Sequence, residues 1–202
     1  MFITFEGIDG CGKSTQLKLL GEHLESIGFE IRILREPGGL PLSEELRSIL
    51  LNSEENIHPI TELLLFEASR SHLVHNLINP ELLAGKAVLC DRFYDSTTAY
   101  QGYGRGLELD LIHRLNQVAS LGRTPDLTIY LDLDYSQTLS RCNNRINDRI
   151  ERSGREFYDK IANGFRELAK QFPERIMLID ADGEIGEVHN RILAIVKQKF
   201  NI

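Results

Sequence analysis

Gly7-Ile8-Asp9-Gly10-Cys11-Gly12-Lys13-Ser14 stands between a short apolar run, residues 3–5, and a helical pattern over residues 13–27. It matches G-x-x-x-x-G-K-[ST] at each defined position, in the strand–loop–helix setting that gives the pattern its meaning. Glycines let successive backbone N–H groups turn inward and form a nest for phosphate oxygens. A helix starting at Lys13 aims its positive end at the same anion. The Lys13 ammonium is expected at the β- and γ-phosphates of a nucleotide, with the Ser14 hydroxyl on Mg²⁺. Cys11 reads as a small filler of the loop.

Outward from the loop, short apolar runs alternate with longer helical patterns. Residues 31–34, 87–90, 127–131 and 176–179 read as further strands. Residues 60–78, 136–152, 156–171 and 188–199 read as helices, and Ser43 as the cap of another. Gly28 sits where a glycine ends the first helix. Strands separated by helices imply crossover connections and a parallel sheet covered on both faces. The expected fold is therefore α/β: three layers, a five-stranded parallel sheet, and one domain over residues 1–202. Ligands of such sheets bind beyond the carboxyl ends of the strands.

Composition narrows the function classes. The net charge of −7 argues against a nucleic-acid polymer as the main ligand, although a local basic cluster can still hold a small phosphate. No apolar run approaches 18 residues, and the N-terminus lacks the pattern of a signal peptide. Three cysteines without paired spacing argue for reduced thiols, hence a cytoplasmic chain. His72 and His75 have no partner pattern for zinc and read as surface or packing residues. A guanine-reading Asn-Lys-x-Asp is absent, which disfavours a GTP-dependent switch. Asp180-Ala181-Asp182-Gly183 reads as an ordinary turn after the last strand.

Three other segments point to a second substrate. Asp91-Arg92-Phe93 follows the third strand, so Arg92 lies at the ligand crevice and can clamp an acceptor phosphate. Asp91 either orders the shell of the metal, directly or through water, or holds Arg92. Arg35-Glu36-Pro37-Gly38-Gly39 follows the second strand and brings Arg35 to the same crevice. Phe66 and Arg70 stand four apart on one helix face. They can stack on a planar base and bond its edge, or Phe66 can belong to the apolar stripe of Leu63, Leu73 and Leu77.

Residues 141–155 hold five arginines and two acids inside an acidic chain. Arg141, Arg145, Arg149 and Arg152 step by four, four and three, so a helix would carry them on one face. Like charges so placed repel unless an anion joins them, and a triphosphate supplies one. The other reading is a solvated charged face.

The ordered set closely resembles the bacterial thymidylate kinases. It comprises residues 7–14, Arg35-Glu36-Pro37-Gly38-Gly39, Phe66 with Arg70, Asp91-Arg92-Phe93, Ala99-Tyr100-Gln101-Gly102 and Asp148-Arg149-Ile150-Glu151. The resemblance runs from residue 2 to about residue 180. It implies the reaction ATP + dTMP → ADP + dTDP with Mg²⁺, a step toward dTTP. It implies Phe66 stacked on thymine, Arg70 at its edge, and Thr97 and Gln101 against the base. Tyr100 would lie under the sugar, and Arg35 and Arg92 near the dTMP phosphate. Arg47 would lie near the base pocket. Asp9 would stand near the sugar 3′-OH, the acceptor phosphate and the metal. In the lid segment, about residues 141–155, Arg145 and Arg149 are expected at the transferring phosphate and Arg141 at the adenine. Lys13, Asp9, Arg92, Arg145 and Arg149 are the expected catalytic groups. A homodimer is implied by the resemblance alone.

Overall fold

The structure is a computed structural model, and it describes residues 1–141 and 148–202. The strands are β1 (Phe2–Glu6), β2 (Ile31–Arg35), β3 (Ala87–Asp91), β4 (Leu127–Asp132) and β5 (Ile176–Asp180). The first helices are α1 (Lys13–Ser26), α2 (Pro41–Asn52), α3 (Pro59–Leu73) and α4 (Asn79–Leu83). They are followed by α5 (Tyr94–Thr97), α6 (Leu109–Ala119), α7 (Tyr135–Arg141), α8 (Arg155–Gln171) and α9 (Ile185–Phe200). The strands form one parallel sheet in the order β2-β3-β1-β4-β5. Each residue of β1 is buried, as are nearly all of β3 and β4, so both faces of the sheet centre are covered. The edge strands are less so: Ile33 of β2 and Leu178 of β5 are exposed.

This strand order creates the crevice. From β1 the chain crosses α1 to β2 on one side, and from β3 it crosses α5 and α6 to β4 on the other. The adjacent ends of β1 and β3 are therefore left open, which is where ligands bind in such sheets. The register pairs Phe5 with Asp91 and Asp91 with Arg35, so the loops after β1, β2 and β3 leave the sheet side by side.

Several boundaries differ from the sequence reading. Helix α2 starts at Pro41, with proline at the first turn where its missing N–H costs nothing. Ser43 is therefore not a cap; it lies buried inside the helix and donates to Ser69 O at 3.3 Å. The long pattern from residue 60 does not stop at Pro80. A π-helical turn, Val74–Ile78, carries α3 into α4, where Pro80 occupies the first turn. The helix expected over residues 136–152 is not continuous. Helix α7 is described as far as Arg141, residues 149–150 form a turn, and Glu151–Ser153 is a 3₁₀ turn. Arg149 and Arg152 thus do not continue the helical face of Arg141. Arg149 N–H instead donates to Leu51 O at 3.1 Å, which tethers this turn to the end of α2.

Candidate active site

The phosphate loop has the strained backbone that its glycines foretell. Gly7, Gly10 and Gly12 all have positive φ. A Cβ on Gly7 would lie 2.7 Å from Leu131 O and 2.8 Å from Cys11 Sγ, so only glycine fits. Burial pushes the Cys11 thiol up, in keeping with a filler. Lys13 folds its ammonium back onto Gly7 O and Ile8 O, each at 3.0 Å, with Asp9 Oδ1 at 3.9 Å. The nest is thus held closed by its own lysine. Ser14 Oγ donates to Asp91 Oδ2 at 2.8 Å, which brings the ends of β1 and β3 together.

A cleft of about 590 Å³ opens over this loop. Residues 9–16 form its floor, and Arg35, Glu36, Arg47, Asp91 and Arg92 form one wall. Ala181, Gly183, Ile185 and Val188 line it as well. The turn after β5, read from the sequence as an ordinary turn, also lines the cleft. Gln16 of α1 fastens it by donating to Ile185 O at 2.9 Å. Its position after the carboxyl end of a strand was the signal available in the sequence.

A second, narrower pocket of about 80 Å³ adjoins the first. Phe66, Arg70, Phe93, Thr97, Tyr100 and Gln101 line it. Phe66 is only half-buried, so one side of its ring faces the pocket while the other packs on the core. Arg70 is buried and held on all sides. Its Nε donates to Glu36 at 2.8 Å and its Nη1 to Glu67 at 2.8 Å and Asn116 at 3.3 Å. Its Nη2 donates to Thr97 Oγ1 at 2.9 Å. Of the five N–H groups of a guanidinium, one on Nη2 remains for a ligand. Burial raises Glu36 to about 7 against the opposing pull of Arg70.

Asp9, Glu36, Arg47 and Arg92 line both cavities, which therefore meet at these side chains. Arg92 is the centre of the junction. Its φ is +71°, a strained value for a non-glycine residue that costs on the order of 1–3 kcal/mol. The guanidinium donates to Gly7 O at 2.9 Å, Ser96 Oγ at 3.0 Å, Asp9 Oδ1 at 2.8 Å and the Tyr100 hydroxyl at 3.2 Å. Its Cζ also sits 5.1 Å from the centre of the Tyr100 ring. Arg35 is gripped by Glu44 through two contacts of 2.8 Å, and Arg47 donates to Pro37 O at 2.9 Å. The peptide between Glu36 and Pro37 is cis.

The arginine segment is divided. Arg141 is the last described residue of α7, and Arg145 lies outside the described residues. Arg149 does not line the phosphate cleft; it donates to Leu50 O at 2.8 Å and to the buried carboxylate of Glu62. Glu62 and its second cation, Arg105, escaped the sequence reading. A lone glutamate on a helix gives no sign that it will be buried between two arginines.

The chemistry of Ser14 and Asp91 suits Mg²⁺: two hard oxygens face the phosphate cleft. Among the described residues no group of three acidic, histidine or cysteine side chains could hold a metal alone. Magnesium in nucleotide enzymes needs few protein ligands, because substrate phosphates supply the others.

A family model described as thymidylate kinase matches residues 5–192. The chain belongs to the thymidylate kinase family. Curated thymidylate kinases are similar over nearly their whole length. That of Prosthecochloris aestuarii is 48% identical, covering 98% of this chain and 94% of its own. That of Caldanaerobacter subterraneus subsp. tengcongensis is 45% identical, covering 98% and 95%. The crystal structure of a thymidylate kinase from Ehrlichia chaffeensis superposes with a TM-score of 0.82 at 38% identity, covering 98% of both chains. That thymidylate kinase therefore shares this chain's fold.

Proposed function

We propose that this chain transfers the terminal phosphoryl group of ATP to dTMP, giving ADP and dTDP on the route to dTTP. One observation carries the reading: two pockets, one built for polyphosphate and one walled by aromatic and amide groups, meet at Asp9, Glu36, Arg47 and Arg92. A nucleotide in each would bring donor and acceptor phosphates together.

On the donor side, residues 7–14 cradle the ATP phosphates. Lys13 leaves its loop carbonyls to follow the charge that migrates during transfer. Ser14 and Asp91 would hold Mg²⁺, which when bound neutralises charge on the ATP phosphates. The lid, residues 141–155, completes a single kinase domain. In it Arg141 meets the adenine and Arg145 the transferring group. Arg149 joins them when it leaves Glu62. On the acceptor side, Phe66 stacks on thymine, while Arg70, Thr97 and Gln101 bond its edge. Tyr100 lies beneath the sugar. Arg35 and Arg92 hold the acceptor phosphate, Arg47 lies near the base pocket, and Asp9 stands near the 3′-OH, the acceptor phosphate and the metal. The acceptor oxygen is already anionic, so positioning and electrostatics replace a strong general base.

We assign the chain to the cytoplasm as a homodimer, with no membrane or nucleic-acid polymer as partner. No described helix is long and apolar enough to cross a membrane. Leu42 and Ile49 on α2, Leu64 on α3 and Val118 on α6 are exposed apolar residues suited to a second copy. The test is ADP release with ATP, Mg²⁺ and a panel of nucleoside monophosphates. dTMP should have the highest kcat/KM, with dUMP weaker for want of the methyl group. A higher value for AMP, GMP or dCMP would overturn the assignment.

A further inference from the structure

Gln101 is the amide side chain that lines the base pocket, beside the guanidinium groups of Arg47, Arg70 and Arg92, and its neighbour determines what it offers. A glutamine amide has a donor end and an acceptor end, and nothing in its own shape decides which faces a ligand. Here Nε2 donates to Glu62 Oε1 at 2.9 Å. Oε1 has no donor among the described residues and is not sealed from solvent. Glu62 itself is buried, 1% exposed; its Oε1 also accepts from Arg105 Nε at 3.1 Å, and its Oε2 accepts from Arg105 Nη2 at 3.3 Å and from Arg149 Nη2. Burial works to raise its pKa, but the bonds from Arg105 and Gln101 outweigh that and leave it below the usual carboxylate range. Glu62 is therefore ionised and can only accept. A flipped Gln101 would place oxygen against oxygen in a buried site, which is disfavoured.

This orientation matters for the pyrimidine edge. Thymine and uracil present a donor at N3 between two carbonyl oxygens. Cytosine presents an acceptor at N3 beside an amino group. A fixed Oε1 accepts from the first and repels the second. The free Nη2–H of Arg70 adds a donor that suits a carbonyl and not an amino group.

We propose that Glu62 is a positioning residue that sets the choice of base, holding Gln101 with its acceptor toward the pocket so that an N3–H edge is admitted and a cytosine edge refused. This rests on the dTMP reading above. Glu62→Gln is the direct test, because glutamine offers both a donor and an acceptor and so satisfies either orientation of Gln101. The readout is the ratio of kcat/KM for dTMP to that for dCMP. It should fall about tenfold or more, since sites that read a polar edge discriminate through the mismatched group. The ratio for dTMP over dUMP should stay put, because those bases share the same edge. Glu62→Asp keeps an acceptor-only group and should keep the dCMP discrimination. A purely structural role would lower all three substrates together, and an unchanged dTMP/dCMP ratio in a folded Glu62→Gln enzyme overturns the proposal. Should that variant fail to fold, Gln101→Met leaves Glu62 with both arginines and must lose the same ratio; retention there overturns the proposal as well. A wild-type enzyme with no preference for dTMP would instead sink the substrate assignment itself.

Discussion

Arg92 Nη2 lies 2.8 Å from Asp9 Oδ1, so the arginine that follows β3 is bonded directly to the phosphate loop that follows β1. The contact spans the opening between the two strands and stands where the two pockets meet. It also explains the positive φ of Arg92. The backbone must turn sharply there, and four hydrogen bonds from one guanidinium hold it turned.

Arg92→Lys should therefore be damaging although charge is kept. One ammonium cannot reproduce a planar fork that reaches four partners. We expect kcat/KM for dTMP to fall on the order of 10²-fold, as for other preorganised charge stabilisers, with KM for ATP little altered. Near-normal kinetics with dTMP would remove Arg92 from the acceptor site.

Phe66→Ala separates a stacking ring from a core ring. A fully buried phenylalanine costs about 3–5 kcal/mol on truncation. Phe66 is half-buried, so the loss in Tm should be smaller than that figure implies. The KM for dTMP should rise about tenfold or more, since base–aromatic stacking contributes roughly 1–3 kcal/mol. Thermal melts and acceptor titrations on one preparation decide it; a large Tm loss with unchanged KM would return Phe66 to the core.

Arg145→Ala and Arg149→Ala should differ from each other. An arginine that meets the phosphoryl group mainly in the transition state lowers kcat and kcat/KM for ATP together, and that is the expectation for Arg145. Arg149→Ala should also lower Tm, because buried Glu62 loses one of the two arginines paired with it. Lys18→Ala, an exposed residue ion-paired with Glu22, serves as control. Steady-state kinetics at saturating dTMP that match the control for both variants would deny the segment its cationic role.

Glu6 gives a pH signature. Burial, reinforced by Asp95, raises its pKa from 4.5 to about 8, against Arg92, Ser96 and Phe93. The folded state therefore holds this proton more tightly than the unfolded chain. Its contribution is complete below about pH 4.5 and is lost as pH rises toward 8. Tm should decline across that window, and Glu6→Gln should flatten the decline. An identical slope in the variant would show that Glu6 is not the group responsible.

Much of this was legible in the sequence because local rules set it. The loop over residues 7–14 announces strand, nest and helix at once. The runs at residues 31–34, 87–90, 127–131 and 176–179 became the other strands, and Gly28 does follow α1, with φ of +97°. What escaped was set by tertiary contact. The turn at residues 148–150 departs from helical spacing because Arg149 finds carbonyls at the end of α2 and a carboxylate on α3. Pro41 opens α2 ahead of the cap read at Ser43, and Pro80 opens a helix just after the pattern read over residues 60–78. Glu62, Glu67 and Asn116 gain their meaning only from the arginines or amide that they hold, and no spacing in the chain betrays those pairings.

The central claim is direct transfer between two nucleotides, and label transfer tests it most plainly. ATP labelled in its γ-phosphate, mixed with dTMP, Mg²⁺ and the enzyme, should yield label in dTDP in a one-to-one ratio with ADP. Label released as inorganic phosphate, with dTMP recovered unchanged, would contradict the account and make the chain an ATPase whose second pocket serves another end.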